Sequence, residues 1–249
     1  MAETRKAAAL RLVTYNIHKG IGGVDRIYRP ERIVEVLERC RADVLLLQEV
    51  DEHVPRSRRD RQVDLLGDAL GFEHRAFYPN VLLRQGQYGN AVLSRFPLDH
   101  QENIDLTRPA KKRRGALHCR FTVPGPRGRT RVWLYNVHLG LAEMERRAQL
   151  RSLLAWHGQH RVHPSTVAVI GGDLNDVWGK LGPMVLEQEG FQGLLRRPKT
   201  FPAVRPMRPL DAFFLRGPAV ISRMDRPNDR LAREASDHLP ITLSLKFTR

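Results

Sequence analysis

The stretch Gly171-Gly172-Asp173-Leu174-Asn175-Asp176 directly follows the apolar run Thr166–Ile170 and is the most informative segment of this chain. Two glycines at the end of a buried strand allow another part of the molecule to approach the backbone closely. The acid Asp173 and the amide Asn175 are two residues apart, so their side chains point the same way from an extended chain. Taken alone, the patch fits a polar loop with Asx-turns as well as it fits a catalytic strand end.

Length and charge narrow the classes of function. The chain has 249 residues, with 42 Lys+Arg against 27 Asp+Glu and a formal net charge of +15. This length suits a single α/β domain over residues 1–249, and we expect residues 1–9 to be flexible. A basic surface attracts polyanions, which include nucleic acid and anionic membrane surfaces. A general arginine bias, with consequences for solubility only, is the alternative explanation.

Cysteine usage and hydropathy indicate the compartment. Cys40 and Cys119 lie far apart and lack metal-type spacing, so we expect two small core residues in a reducing environment. No apolar run reaches the roughly eighteen residues that a membrane-spanning helix needs. The sequence therefore predicts a cytoplasmic protein with no transmembrane segment and no evident obligate protein partner. Contact with an anionic membrane surface stays open because of the charge.

Apolar periodicity predicts strands and helices in mixed order. Helices are predicted from Pro30, over Gln62–Leu70 and over Ala142–Trp156, the last with Met144 and Leu150 on its apolar side. The predicted strands are Leu10–Ile17, Asp43–Val50, Gly89–Phe96, Gly115–Val123, Arg131–Val137, Thr166–Ile170, Asp211–Leu215, Ala219–Met224 and Ile241–Phe247. Because strands come in adjacent pairs between helices, we expect an α/β fold with two packed mixed β-sheets flanked by helices.

Polar residues end several of these apolar runs. They are Asn16, Glu49, His138, Asp173 with Asn175, and Asp237 with His238. Taken singly, Asn16 fits a turn cap and Glu49 a salt bridge to an arginine. Together at one sheet edge, carboxylates, amides and histidines form a site for a hard cation with acid and base groups beside it. Oxygen ligands without cysteine favour Mg²⁺ or Mn²⁺ over zinc.

Six sequence blocks resemble the endonuclease/exonuclease/phosphatase superfamily of metal-dependent phosphoesterases, which includes pancreatic-type deoxyribonucleases, abasic-site endonucleases, bacterial sphingomyelinases and inositol-phosphate phosphatases. The blocks occur in the family's order and stretch from Thr14 to Ile241. They are Tyr15-Asn16-Ile17, Leu47-Gln48-Glu49-Val50, Gly89-Asn90-Ala91-Val92-Leu93-Ser94-Arg95, Asn136-Val137-His138-Leu139, Gly172-Asp173-Leu174-Asn175 and Ser236-Asp237-His238-Leu239-Pro240-Ile241. The resemblance implies a four-layer α/β sandwich.

The resemblance also implies roles for individual residues. Glu49 is implied as the main metal ligand, with Asn16 adjacent and Asp237 close enough to assist. Asp173 is implied to orient and deprotonate the attacking water, which a carboxylate does at short range.

On the phosphate side, the resemblance implies that Asn175 donates a hydrogen bond to the phosphoryl oxygens. His238, held in its tautomer by Asp211, is implied to contact the same phosphate. His138 is implied to position or protonate the leaving group, as in the sphingomyelinase-like and pancreatic-type branches.

Two features concern the choice of substrate. Abasic-site nucleases commonly carry an aspartate two residues after the first asparagine, where this chain has His18, which lowers the odds of that activity. The basic run Lys111, Lys112, Arg113 and Arg114 precedes a predicted strand of the catalytic sheet. It is the leading candidate for contact with a phosphate backbone, and Arg56-Ser57-Arg58-Arg59 is the second, although such runs are more often simply solvated.

The function predicted from sequence is Mg²⁺-dependent hydrolysis of a phosphodiester by in-line attack of water, with nucleic acid as the substrate. A phospholipid headgroup phosphodiesterase, gripping an anionic membrane, or a phosphatase is the alternative among enzymes. A non-catalytic protein that binds polyanions on the same fold is the alternative from another class.

Overall fold

The computed structural model describes residues 9–126, 128–194 and 197–248. Its secondary structure forms two β-sheets, one of six strands and one of five. The predicted flexibility of residues 1–9 falls largely outside the described residues, but it is wrong for Ala9, which begins the first strand.

The six-stranded sheet has the order β10-β11-β1-β2-β4-β3. Its strands are β1 (Ala9–Asn16), β2 (Val44–Glu52), β3 (His74–Leu82), β4 (Gln87–Ser94), β10 (Ala219–Asp225) and β11 (Ile241–Phe247). The five-stranded sheet has the order β5-β6-β7-β8-β9. Its strands are β5 (His100–Asp105), β6 (Gly115–Gly125), β7 (Gly128–His138), β8 (Val167–Asp173) and β9 (Asp211–Arg216). β6 and β7 are adjacent in sequence and pair in an antiparallel arrangement.

Four α-helices flank the sheets. They are α1 (Pro30–Cys40), α2 (Gln62–Leu70), α3 (Glu143–Gln159) and α4 (Arg230–Ala235). Proline at the first turn starts α1, because its fixed φ suits a helix and its missing N–H has no partner to lose there. Gly71, with φ of 66°, ends α2 in the left-handed conformation that glycine adopts without steric cost.

Alternation along the central strands explains the four layers. In β2, Val44 and Leu46 belong to the core between the two sheets, whereas Leu45 and Leu47 pack against the side that carries α1 and α2. Successive side chains of a strand face opposite sides of the sheet, so a strand covered on both sides reads as one continuous apolar run. Helix α3 packs on the outer face of the five-stranded sheet. The predicted sandwich of two mixed sheets between helices is confirmed.

The glycine pair at the end of β8 permits two close approaches. A Cβ on Gly171 would lie 2.5 Å from the Phe213 ring, and a Cβ on Gly172 would lie 2.0 Å from the carbonyl oxygen of Val137. Gly172 also has a φ of 143°, which L side chains rarely adopt. The pair therefore lets β8 sit tightly between β7 and β9, and it fixes where Asp173 leaves the sheet.

Two expectations about the helices and cysteines had different outcomes. Cys40 and Cys119 are buried and free, as predicted. Met144 does not lie on the apolar side of α3: it is 76% exposed, while Arg146 and Gln149 are buried. The buried positions near the start of α3 hold polar side chains that bond to the preceding loop: Arg146 donates to Leu141 O, and Gln149 accepts from Gly140 N.

Candidate active site

The candidate residues meet at one edge of the two sheets. β1 and β2 are parallel, as are β7 and β8, so the two strands of each pair end at the same edge. β11 and β9 run antiparallel to β1 and β8 and therefore begin at that edge. A hydrogen bond from Asn16 Nδ2 to Asp173 Oδ2, 3.0 Å long, joins the end of β1 to the end of β8. The two sheets thus contribute to one crevice.

Asp173 lies at the centre of this crevice. Its Oδ1 accepts a hydrogen bond from the Asn175 backbone N–H at 2.9 Å, and its Oδ2 accepts the bond from Asn16. Two imidazoles face Oδ2, with His138 Nε2 at 3.7 Å and His238 Nε2 at 3.8 Å. Burial raises the pKa of Asp173, the positive charge of His238 opposes that shift, and Asp211 adds to it. The hydrogen bonds from Asn16 and Asn175 hold the carboxylate in one orientation.

His238 is held between two carboxylates. Its Nδ1 lies 2.8 Å from Asp211 Oδ2, so Asp211 orients the ring, and this is the pair of residues that the resemblance singled out. Burial alone would lower the pKa of His238, but the charges of Asp211 and Asp173 outweigh burial and raise it to about 10. His238 is therefore an imidazolium at neutral pH.

Thr200 is a further member of this arrangement that the sequence did not reveal. Its hydroxyl donates to Asp211 Oδ2 at 2.5 Å, and Thr200 itself is completely buried. The loop that carries it is tied to the site by the bond from Leu239 N to Thr200 O. Thr200 thus positions Asp211, which in turn positions His238.

His138 differs from His238 in its protonation state. Burial and the positive charge of Arg114 lower the pKa of His138 to about 4, so the imidazole is neutral at pH 7. A neutral imidazole donates one N–H hydrogen bond, but it protonates a leaving group only when a nearby negative charge raises its pKa. The two histidines around Asp173 are thus electrostatically distinct.

A β-bulge aims Glu49 into the crevice. The register of β2 against β4 shifts between Leu47 and Val50, and Glu49 adopts a φ of 56° there. Bulges re-aim side chains next to active sites, and the left-handed backbone costs energy for a non-glycine residue. Burial would raise the pKa of Glu49, but the charges of His138 and Lys19 outweigh it and hold the pKa at about 2. Glu49 is an ionised carboxylate.

Lys19 is the main site residue that sequence reasoning missed. Its Nζ forms a tight ion pair with Glu49 Oε2. Three successive residues, His18, Lys19 and Gly20, have positive φ values of 45°, 62° and 71°, and Gln62 Nε2 fixes the turn by donating to Lys19 O at 2.7 Å. The adjacent His18 lies between the two predicted metal carboxylates, with its Nδ1 bonded to Ile21 O at 2.9 Å and 4.0 Å from Asp237 Oδ1.

The chemistry of Glu49, Asp237 and Asn16 fits a hard divalent cation. Glu49 supplies an ionised carboxylate, Asp237 a second carboxylate, and Asn16 an amide oxygen that otherwise accepts from the His18 N–H at 3.1 Å. Ser236 holds the segments together, because its hydroxyl donates to Asn16 O at 2.8 Å. Oxygen donors without sulfur suit Mg²⁺. The Lys19 ammonium shares Glu49 with any such ion.

Asp173, Asp211 and His238 also have possible ligand atoms within 4.8 Å of one another. We interpret this cluster as an imidazolium that is hydrogen-bonded to Asp211 and faces the charge of Asp173 at 3.8 Å, because a protonated imidazole has no lone pair to offer a metal. Here the imidazolium itself supplies the positive charge between the two carboxylates.

Asn175 and Asp176, the remaining polar residues of the stretch that follows β8, have separate roles. Asn175 adopts a φ of 52°, and its amide donates to Leu139 O at 2.9 Å, which leaves its second N–H for another acceptor. Asp176 does not face the crevice chemistry. It accepts from Lys180 N and Leu181 N at 3.2 and 2.8 Å and pairs with Arg197 at 2.8 Å, so it fixes the segment that follows the strand end.

The structure divides the basic run that precedes β6. Lys111, Lys112 and Arg113 are exposed, whereas Arg114 is buried with 8% exposure. Among the described residues, none of the four lies in an ion pair with a carboxylate. Lys112 Nζ lies 5.0 Å from the centre of the Tyr88 ring, which Lys19 and Arg56 also approach, at 5.8 and 5.2 Å. Lys112 of the basic run and Lys19, which pairs with Glu49, therefore lie beside the same aromatic ring.

A buried amide network supports the floor of the crevice. Gln48 Nε2 donates to Asn136 Oδ1 at 2.7 Å across the two sheets, and the Asn136 amide donates to Leu47 O and Ala91 O, both at 2.9 Å. These residues stand inside the sequence blocks, but only the packing of one sheet on the other shows that they bond to each other.

Comparison with known proteins agrees with this geometry. The profile of the Endonuclease/Exonuclease/phosphatase family matches residues 13–238. The chain belongs to this family. Family members are generally hydrolytic phosphoesterases that depend on divalent metal ions, and the crevice has the carboxylates that such chemistry needs.

Family relatives cover almost the whole chain. The uncharacterised protein YbhP of Escherichia coli is 29% identical over 257 residues, which is 98% of this chain and 99% of YbhP. The structure of a family protein from Beutenbergia cavernae has a TM-score of 0.77 and 22% identity, covering 97% of this chain and 72% of that one. A mannosyl-6-phosphatase of Bacteroides thetaiotaomicron has a TM-score of 0.71 and 15% identity, covering 96% of this chain and all of the other. The two structures show that the fold is shared.

Proposed function

We propose that this protein hydrolyses phosphodiester bonds by in-line attack of an activated water, with Mg²⁺, or else Mn²⁺, as the cofactor. One observation carries the proposal: the Asp173 carboxylate, fixed by Asn16 and Asn175, lies within 4 Å of one protonated and one neutral histidine. A base, a cation and a neutral donor thus surround the space where a phosphoryl group would sit.

Asp173 is the general base in this proposal. Its raised pKa lets it accept a proton from water, and its two hydrogen bonds keep it aimed at the attacking oxygen. Asn16 acts mainly through its amide N–H on Asp173, in addition to the role beside the metal that the resemblance implied.

Charge on the phosphoryl group is stabilised by His238 and Asn175. The imidazolium stays protonated because Asp211 and Asp173 flank it, and the second N–H of Asn175 adds a donor. Glu49 and Asp237 would hold the cofactor, with Asn16 adjacent, and a bound divalent cation neutralises phosphate charge and stabilises the leaving oxygen. His138 donates a hydrogen bond to that leaving oxygen and so stabilises the charge that develops on it.

Nucleic acid is the substrate that we propose first. The net charge of +15 and the exposed Lys111 and Lys112, which form no ion pair with a carboxylate among the described residues, support a polyanion at this edge. The two buried free cysteines are compatible with action in the cytoplasm. In the part of the chain that the structure describes, no helix is both long and apolar enough to cross a membrane.

The test is hydrolysis of plasmid and of short single strands, with Mg²⁺ and with EDTA, by the wild type, Asp173→Asn and the matched control Asp99→Asn. Asp99 is exposed and precedes β5, at the edge away from the site. Cleavage that needs metal, is lost in Asp173→Asn and persists in Asp99→Asn would support the proposal. Metal binding without turnover of any phosphoester would favour the non-catalytic polyanion-binding alternative.

A phospholipid headgroup phosphodiester is the second candidate, because one observation favours it. Leu141 and Trp178, each 76% exposed, lie in the loops that follow His138 and Asn175. Exposed apolar side chains beside basic ones are typical of surfaces that rest on anionic membranes. Hydrolysis confined to phospholipid vesicles, and weakened in the double variant Leu141→Ser/Trp178→Ser, would replace nucleic acid by this substrate.

A further inference from the structure

A small polar cavity adjoins the crevice on the side of the basic run. It has a volume of about 110 Å³, and its lining includes Asn80, Asn103, Arg113 and Arg114. The register of β6 on β7 pairs Ala116 with Val137, so the preceding residue, Gly115, comes beside His138. Arg114 therefore enters the cavity from a position directly next to the catalytic edge.

Arg114 has no counterion in the described part of the chain. Its side chain is more than nine-tenths buried, its Nε is shielded from solvent without a hydrogen-bond partner, and no described carboxylate oxygen lies within 4.0 Å of the guanidinium. A buried charge without a partner is costly, and a guanidinium suits the oxygens of a phosphate better than any other common group. This cost would be offset by an anionic ligand.

The other walls point to the same kind of ligand. The amides of Asn80 and Asn103 both lie against Gly115, where a Cβ would come within 2.6 Å of either oxygen, so glycine keeps this wall open. Asn103 Oδ1 is a second buried atom without a partner, and it suits a hydroxyl or a water carried with an anion.

Arg113 differs from Arg114 because a carboxylate faces it across the cavity. A hydrogen bond from Thr107 and the charge of Arg113 lower the pKa of Asp105, which is therefore ionised and balances part of the Arg113 charge. The unbalanced cation of the cavity is Arg114. An anion is therefore expected on the Arg114 side, toward His138.

We propose that Arg114, with Asn80 and Asn103, forms a subsite for a second phosphate group, the neighbour of the phosphate that is cleaved. This inference rests on the proposed function and deepens it. It predicts that the protein prefers substrates with adjacent phosphates, such as a 5′-phosphorylated oligonucleotide, to substrates with a single phosphodiester.

The kinetic test compares two substrates that differ by one phosphate: the thymidine dinucleotide with and without a 5′-phosphate. The wild type is expected to have a kcat/KM about tenfold or more higher for the phosphorylated one, the range of a charge-assisted contact. Arg114→Gln should remove this preference, Arg114→Lys should keep part of it, and the exposed Arg131→Gln at the far end of β7 should leave it intact. Equal kcat/KM values for the two substrates in the wild type would overturn the proposal.

A binding test separates the subsite from the reaction. The catalytically impaired Asp173→Asn protein is titrated with both dinucleotides in EDTA, and the phosphorylated one is expected to bind about tenfold or more tightly. Asn103→Ala, which keeps the arginine, should weaken that preference even if Arg114→Gln does not fold. Tighter binding of the phosphorylated dinucleotide without turnover by the wild type would keep the subsite and reject the proposed reaction. No difference between the two ligands would reject the subsite.

Discussion

The ammonium group of Lys19 forms an ion pair with Glu49, the carboxylate that the sequence predicts as the main metal ligand. The contact depends on two strained stretches of backbone, the bulge at Glu49 and the left-handed turn at His18–Gly20. A cation of the protein thus lies on the carboxylate that we propose as the main metal ligand.

Removal of the Lys19 charge should strengthen metal binding. A divalent cation and the ammonium compete for Glu49, so Lys19→Gln is expected to raise the affinity for Mn²⁺ by about fivefold to tenfold, the effect of one partly screened charge. Calorimetric titration with Mn²⁺ measures it. Lys246→Gln, exposed on β11 away from the site, is the matched control and should bind as the wild type does. Weaker binding by Lys19→Gln would mean that the lysine assists the ion.

Loss of the Asp173 charge should abolish turnover without unfolding the protein. Asp173→Asn keeps the shape of the side chain but removes the base, so kcat should fall by about a hundredfold to ten-thousandfold. Burial already disfavours the ionised carboxyl, but the amide can accept only one of the two hydrogen bonds that Asp173 receives, so the melting temperature should fall by no more than a few degrees. Kinetics and thermal unfolding of the same preparation test both parts, and Asp99→Asn should change neither. Turnover near the wild-type rate would exclude Asp173 as the base.

Asp211 should control the protonation of His238. Since the Asp211 charge is the largest contribution that raises the His238 pKa to about 10, Asp211→Asn should lower that pKa markedly, and Thr200→Val should change it less. NMR titration of the His238 ring in EDTA measures the shift. An unchanged pKa in Asp211→Asn would show that Asp173 alone keeps the imidazole charged.

His118 should make the protein less stable in acid. It is fully buried in the five-stranded sheet, its Nδ1 donates to Leu134 O at 3.2 Å, and its Nε2 accepts from Arg120 at 3.0 Å. Burial, helped by the charge of Arg120, lowers its pKa from 6.5 to about 3. The folded protein therefore excludes a proton that the unfolded chain binds.

The stabilisation from neutral His118 is complete above pH 6.5 and is lost as the pH falls toward 3. The free energy of unfolding should fall by at most about 1.4 kcal/mol per pH unit in this window on account of this residue. Urea unfolding between pH 8 and 4.5 measures the slope. His118→Gln should be less stable at pH 8 but have a shallower slope, since His138 and His157, with pKa values near 4, remain in both proteins. Identical slopes would contradict the assignment.

The basic run should set the salt dependence of nucleic-acid binding. If Lys111 and Lys112 contact phosphates, their double exchange for glutamine should reduce the slope of log affinity against log salt by about one to two. Binding of a short single strand to Asp173→Asn protein in EDTA, from 50 to 200 mM salt, measures it. Exchange of Lys246 and Arg131, at the opposite edge, is the matched control. An equal change of slope in both double variants would show that the basic run contributes only to the general positive charge of the protein and makes no specific phosphate contacts.

The strands with both faces buried were the most readily predicted. β2 and β8 read as continuous apolar runs because helices and the second sheet cover them. The outer strands β3 and β5 escaped prediction because polar residues interrupt their apolar pattern, whereas β10, which is also an outer strand, begins with the apolar run Ala219-Val220-Ile221. Helix α4 escaped because it has only six residues.

Some residues of the site could be predicted from sequence and others could not. Asp173, His238 and Glu49 stand at strand ends, so their meeting could be predicted from the blocks once the strands shared an edge. Lys19 could not be predicted, because its contact depends on a bulge that has no sequence mark. The burial of Arg114 within a run of four cations was hidden too, since composition alone describes all four as a solvated loop.

The crevice draws on both sheets: Asn16, Glu49 and His238 come from the six-stranded sheet, and His138, Asp173 and Asp211 from the five-stranded one. Neither sheet alone contains a working set. The phosphoester hydrolysis that we propose would therefore depend on how one sheet packs against the other, so a collapsed intermediate with native strands but loose packing would be inactive. Activity would then report displacement between the two sheets that far-ultraviolet circular dichroism does not detect.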